Sequence, residues 1–207
     1  MNISPFPRFA SAAAIAALAL MLANPAHSDD ATQTKRAGTY TTSKGGSGTT
    51  SSTTTRSNGN VERKGTWTNA SGGTGNVQSQ RTWDKSTQTA TFGGTKTRPN
   101  GTTSSWQGTA VRNALGSISA KGIITTAGGK QDTFTSSDTR VAPGTWDRQQ
   151  VITSASGKTI DRTVDNSVAG GKGTRTVTTA LPNGQTVTRN ASFSQTVSPA
   201  PATAPNN

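Results

Sequence analysis

The chain has no cysteine, two methionines and one histidine, and each shortage closes a class of structure or chemistry. Without Cys no disulfide staples the fold and no thiolate serves as nucleophile or metal ligand. The one histidine, His27, lies in a segment with the features of an export leader, so the mature chain is expected to lack imidazole as well. Ser-His-Asp and Cys-His nucleophile systems, imidazole general bases and His or Cys metal sites are then excluded together, and no cofactor or metal is expected. Large aliphatic residues are also scarce. From residue 29 onward Val, Ile, Leu and Phe make up about 11 % of the chain, well under the ~20 % below which a charged chain usually fails to build a core. A large dry core is excluded, and with almost no Leu or Met so are the amphipathic helices of bundles and Rossmann-type folds. Acid is the last shortage: nine Asp and Glu face 21 Lys and Arg.

What the chain does contain begins with the leader. Arg8 precedes an apolar run from Ala10 to Ala23, Asn24-Pro25 breaks it, and Ala26-His27-Ser28 puts small residues at −3 and −1 of a cut before Asp29. Residues 1–28 therefore read as a secretory signal peptide. The run is shorter than the ~20 residues of a membrane anchor, so no transmembrane segment is expected in the mature chain, and its place is the periplasm or the extracellular space. Residues 29–37 read as a flexible lead-in, 38–197 as the folded repeat domain, and 198–207, with Pro199, Pro201 and Pro205, as a disordered Pro/Ala tail.

Within 38–197 turn chemistry recurs about every fourteen residues, at Gly45-Gly46, Asn58-Gly59, Gly72-Gly73, Asp84-Lys85-Ser86, Asn100-Gly101, Asn113 to Gly116, Gly128-Gly129, Pro143-Gly144, Ser156-Gly157, Gly170-Gly171 and Asn183-Gly184. Thr- and Val-rich runs lie between, and their side chains alternate. In Gln185 to Val197 the apolar Val187, Ala191, Phe193 and Val197 share one parity while Thr and Ser fill the other; Ile160, Val164 and Val168 do the same. A period of two held over run after run predicts half-buried antiparallel strands. The expectation is an all-β, up-and-down meander of about twelve short strands folded as a barrel, sandwich or curled sheet. A parallel β-solenoid is the alternative, because Phe92, Trp106, Ala120 and Phe134 recur at intervals of fourteen. An outer-membrane barrel fits poorly, since no lipid-facing band or aromatic girdle is present. Three-residue loops preserve parity, and a loop centred on Gly72 predicts Val61 opposite Trp83 and Trp67 opposite Val77, aromatic beside β-branched.

The basic residues carry the functional signal. Arg63, Arg81, Arg148, Arg162, Arg175 and Arg189 share the parity of the apolar residues of their own strands, and Arg81-Trp83 and Trp146-Arg148 are i,i+2 neighbours within stacking reach. The plain reading is that these arginines snorkel at the rims of a thin core. The sharper one is an exposed or water-lined Arg/Trp face, made of Arg81, Trp83, Trp146, Arg148, Arg63, Trp67, Arg162 and Arg189, that meets anionic polymers: acidic polysaccharide, lipopolysaccharide or extracellular nucleic acid. Asp84 and Asp147 stand in matching Thr-Trp-Asp-basic contexts and are checked as a carboxylate pair, although a turn or outward position explains each of them. Ser156-Gly157-Lys158-Thr159 lacks the upstream glycine of a phosphate loop, with Ile152 in its place.

The leader followed by Thr/Gly/Asn-rich units with Asn-Gly turns over about 160 residues resembles exported β-repeat proteins of Gram-negative bacteria. Gly73 to Gln80 is similar to part of a curlin repeat but occurs once, and Thr-x-Thr triplets such as Thr87-Gln88-Thr89 resemble those of ice-binding solenoids, as alternation in any Thr-rich β-array would. The resemblance implies a non-enzymatic protein with a structural or surface-interaction role in the cell envelope or extracellular matrix, with self-association or anionic polymers as partners.

Overall fold

The computed structural model describes residues 31–113 and 116–200; the leader, most of the Pro/Ala tail and the tip of one loop lie outside the described residues. Twelve strands follow one another: β1 (Thr32–Thr42), β2 (Ser47–Ser57), β3 (Asn60–Asn69), β4 (Thr74–Asp84), β5 (Thr89–Thr97), β6 (Thr103–Arg112), β7 (Ile118–Thr125), β8 (Gln131–Ala142), β9 (Thr145–Thr153), β10 (Thr159–Ala169), β11 (Lys172–Ala180) and β12 (Thr186–Pro199). Each pairs antiparallel with its sequence neighbours, and β12 returns to β1 to close a barrel. Antiparallel pairing throughout excludes the solenoid. Of the three forms the alternation allowed, closure is the one that leaves no open edge. Following the registers once round returns to β1 displaced by about fourteen residues, a stagger that for twelve strands implies a tilt of roughly 40° and a lumen wide enough for more than packed side chains.

Closure corrects the expected boundaries. The segment read as a lead-in supplies the first half of β1, with Thr34 opposite Thr54 on one side and Val197 on the other. Its own residues are too polar to announce a strand. Two flanking strands satisfy its backbone groups, which is a tertiary effect no local pattern contains. β12 likewise runs on through Ser198 to Pro199.

The hairpin prediction was off by two residues. Val61 faces Arg81, Gly65 faces Val77 and Trp67 faces Gly75. The loop keeps three residues, but Gly72 (φ 81°) is its last, accepting the left-handed conformation, so the centre falls on Ser71. A shift of two preserves the inward face of every residue while changing each partner. Instead of β-branched neighbours the aromatic rings lie over glycines: Trp67 on Gly75, Phe92 on Gly108, Trp106 on Gly94 and Phe134 on Gly122. A Cβ on Gly122 would run into the Gln107 carbonyl oxygen and stand 2.8 Å from the Phe134 ring. Glycine is required there because the paired strand's backbone and the ring together occupy the space above it.

Parity is not uniform either. Two-residue loops at Asn58-Gly59 and Gly170-Gly171 and a four-residue loop between β4 and β5 reverse which parity points inward, whereas the two-residue loop at Pro143-Gly144 is compensated by a bulge between Arg140 and Ala142. Inward positions are consequently even on β1, β2 and β5 to β10, and odd on β3, β4, β11 and β12. Every aromatic residue of the strands points inward, while the outward face is built largely of Thr, Ser, Asn, Gln, Lys and most of the acidic residues. Among the described residues the exposed large apolar side chains are Val111, Val141, Val151 and Val197. That outer surface is the reverse of a lipid-facing one. Among the described residues no helix is long and apolar enough to cross a membrane.

The lumen is divided. Ala90, Phe92, Trp106, Ala110, Ile118, Ala120, Ile124, Phe134, Ile152 and Ile160 form one apolar cluster on the wall from β5 to β10, with Val77, Trp67 and Trp83 at its border. At ~1.5–3 kcal/mol for each large side chain buried, this side is the core that holds the barrel. The opposite wall, from β10 through β12 to β4, has few such residues and carries cations.

A cationic cavity inside the barrel

Strand alternation sends Arg36 (β1), Arg56 (β2), Arg63 (β3), Arg81 (β4), Lys96 (β5), Arg148 (β9), Arg162 (β10), Arg175 (β11) and Arg189 (β12) to inward positions. Two carboxylates on the described strands accompany them, Asp132 and Asp138. Asp138 is taken by a buried bidentate ion pair with Arg148, and Asp132 accepts from the Ala155 amide at 3.2 Å. Nine cations against two carboxylates is a large local excess, to which Arg112 and Arg140 add at even, inward positions of β6 and β8.

Arg36, Arg56, Lys96 and Arg189 find neutral partners. Arg36 Nε donates to Gln195 Oε1 at 2.8 Å and its guanidinium lies 4.9 Å over Phe193. Arg189 sits 3.9 Å over the Tyr40 ring, Lys96 4.6 Å over Trp67, and Arg56 donates to Thr34 Oγ1 at 3.3 Å. For Arg175, Nε and Nη2 are buried with no hydrogen-bond partner. Burial followed by mutual repulsion lowers the pKa values: Arg36, with Arg63 and Arg56 near it, and Arg162, near Arg148 and Arg189, are each held down to about 9. Arg175 is also well below its ordinary value through burial and then the fields of Arg162, Arg63, Arg148 and Arg189. Lys96 is held at about 7, by burial first and then by Arg98, Arg189 and Arg162.

These side chains surround a cavity of about 400 Å³. Arg36, Arg63, Lys96, Arg162, Arg175 and Arg189 supply charge; Tyr40, Trp67 and Phe193 supply rings; Val77, Val177 and Val187 supply apolar surface; and Thr42, Thr50, Ser52 and Thr179 supply hydroxyls. Among the described residues no carboxylate lines it. Arg175 keeps part of its surface because it faces this space. The arrangement can bind an anion through several charge-assisted hydrogen bonds at once and hold a planar or apolar body against the rings.

Of the residues singled out from sequence, Arg63, Trp67, Arg162 and Arg189 come together at the cavity. Arg81 and Arg148 are inside but buried in the wall, 4 % and 2 % exposed. Trp83 packs half-buried against the apolar cluster. Trp146, half-buried towards the end of the barrel where the chain enters and leaves, has Arg140 5.9 Å from its ring centre. The i,i+2 stacking expected of Trp146 and Arg148 does not form, because Arg148 turns to Asp138. Closure of the sheet puts the Arg/Trp face on the inside of the barrel. Snorkelling at rims does not describe Arg148 or Arg162, at 2 % and 3 % exposure.

Arg36, Lys96, Tyr40 and Phe193 were missed as site residues. Lys96 and Phe193 were accessible through the parity of their neighbours, whereas Arg36 fell in the supposed lead-in. Asp84 and Asp147 do not meet. Asp84 is an exposed turn residue accepting from Ser86 N at 2.8 Å and Ser86 Oγ at 2.6 Å, which lowers its pKa, and Asp147 points outward from β9, paired with Thr139 and Asp165. Among the described residues no group of His, Cys, Asp and Glu is placed to hold a metal. Comparison with protein-family models and with curated proteins finds no match for the chain.

Proposed function

We propose that this is an exported, non-enzymatic binding barrel that encloses an organic anion in its lumen. The observation that carries the reading is the inward charge surplus around a cavity that no carboxylate lines. Two guanidinium groups about 8 Å apart repel by roughly 2 kcal/mol at an effective dielectric constant near 20. Gathering several of them is costly unless something negative joins them. A purely structural role in the envelope or matrix leaves that surplus without purpose, whereas a bound anion neutralises it. The anionic-partner expectation is retained in altered form: the ligand is a small anion, or the end of a larger one, held inside rather than a polymer laid along a face. The polar outer surface and the leader support a water-exposed protein outside the inner membrane.

The test is saturable binding. Pyrophosphate and citrate are titrated at low ionic strength, following Trp fluorescence and the melting temperature. One site per chain is expected, and stabilisation should approach roughly 2.7 kcal/mol at a hundred times Kd. Arg189→Gln should weaken binding by about ten- to a hundredfold, the scale of one lost charged hydrogen bond. If neither anion does more than NaCl of equal ionic strength, the reading is wrong.

A further inference from the structure

We propose that Lys96 is a carbonyl-reactive amine, and that the cavity takes small anionic aldehydes or ketones by forming a reversible imine at its Nζ. This rests on the anion-binding reading and goes further, since it names a reactive atom and a chemical class of ligand.

The geometry comes first. Lys96 is the one lysine at an inward strand position among the described residues; Lys35, Lys64, Lys121 and Lys172 project outward, and the others are in loops. It is 8 % exposed and lines the cavity. Its strand neighbours across the ladder are Val77 and Ser104, neither able to act as a counter-ion. The charged groups around it are all cations, Arg98, Arg162 and Arg189, and its ammonium rests on the Trp67 ring. An amine desolvated in this way and surrounded by guanidinium groups gives up its proton more readily than a surface lysine, and its pKa of about 7 follows from those causes in that order. Arginine cannot do the same chemistry, because its guanidinium stays protonated near neutral pH and delocalises its lone pair. The cavity thus combines anion-holding arginines with one amine that is partly neutral near pH 7, which is the arrangement that makes a lysine a Schiff-base nucleophile.

The step balances without a co-reactant. The Nζ lone pair attacks the carbonyl carbon to give a carbinolamine. Both amine hydrogens then leave with the former carbonyl oxygen as water, and a C=N bond remains. No atom is oxidised or reduced, and water reverses the reaction. The carboxylate or phosphate of the ligand lies among Arg36, Arg162 and Arg175, which brings the carbonyl carbon to the amine.

Pyridoxal 5′-phosphate is a suitable probe, since it carries a phosphate, a ring and an aldehyde. The full mature chain is mixed with it at pH 7, the imine absorbance is followed, the adduct is trapped with borohydride, and peptide masses locate it. Modification of Lys96 roughly ten to a hundred times faster than of any surface lysine is expected, from its larger neutral fraction and from local concentration of the probe. Its rate should rise with pH to a plateau above about 7. Excess pyrophosphate should suppress it, and Lys96→Arg should abolish the adduct. Adducts spread evenly over Lys35, Lys64 and Lys121 would overturn the proposal. Saturable binding of the probe with nothing trapped at Lys96 would also overturn it and leave the anion site standing. Failure of both pyrophosphate and the probe to bind would remove the anion-binding reading itself. Because the mapping is done on the unaltered chain, the outcome does not depend on any variant folding.

Discussion

Replacing Arg175 with Met should make the ligand-free barrel more stable, the opposite sign from most interior substitutions. Two nitrogens of its guanidinium have no hydrogen-bond partner, and Arg162, Arg63, Arg148 and Arg189 all act to destabilise its charge. At an effective dielectric constant near 20, a like charge about 10 Å away costs roughly 1–2 kcal/mol. Four such neighbours sum to several kcal/mol, of which water and counter-ions in the cavity screen a large part. Met retains the volume of the aliphatic stem, so packing loss is on the order of 1 kcal/mol. The net expectation is a gain of about 1–3 kcal/mol, or roughly 3–10 °C in melting temperature for a domain of this size. Arg148→Met is the contrast. It strands the buried carboxylate of Asp138 and should cost about 3–5 kcal/mol. Both variants are melted by circular dichroism at low ionic strength, with and without saturating pyrophosphate. The anion should stabilise the parent protein more than Arg175→Met, shrinking the gap between them. If Arg175→Met destabilises the barrel as Arg148→Met does, or if its gain is the same in pyrophosphate, the lumen cations are structurally satisfied and the charge argument fails.

Two further outcomes are expected. Gly122→Ala should cost about 1–3 kcal/mol by overpacking against the Gln107 carbonyl and against Phe134, which itself packs on Phe92 with ring centres 6.1 Å apart. Gly128→Ala, which meets open space, should be neutral or slightly stabilising; equal urea midpoints for the two would contradict the ring-over-glycine packing. Intact mass of the exported protein should correspond to a chain beginning at Asp29, and retention of residues 1–28 would defeat the leader assignment.

The class of the fold was legible because strand alternation and turn chemistry are local. A period of two, broken every fourteen residues by Gly and Asn, specifies antiparallel hairpins whatever lies across the sheet, and the inward parity of Arg63, Arg162 and Arg189 could be read from their neighbours in the same strands. What turns inward to what could not. Placing Gly72 at the centre of its loop rather than at the end shifted a hairpin by two residues, and three loops that reverse parity, with a bulge that restores it, decided which parity each later strand presents. Above all, whether an Arg-rich face looks out or in depends on whether the first and last strands meet. The pairing of β1 with β12 joins residues more than 145 positions apart, so no window of sequence contains it. The cavity exists for the same reason. Single strands set one cation at a time beside apolar neighbours, and only closure, with large side chains filling one wall and arginines the other, gathers them around a common space and makes Lys96 a buried amine among positive charges.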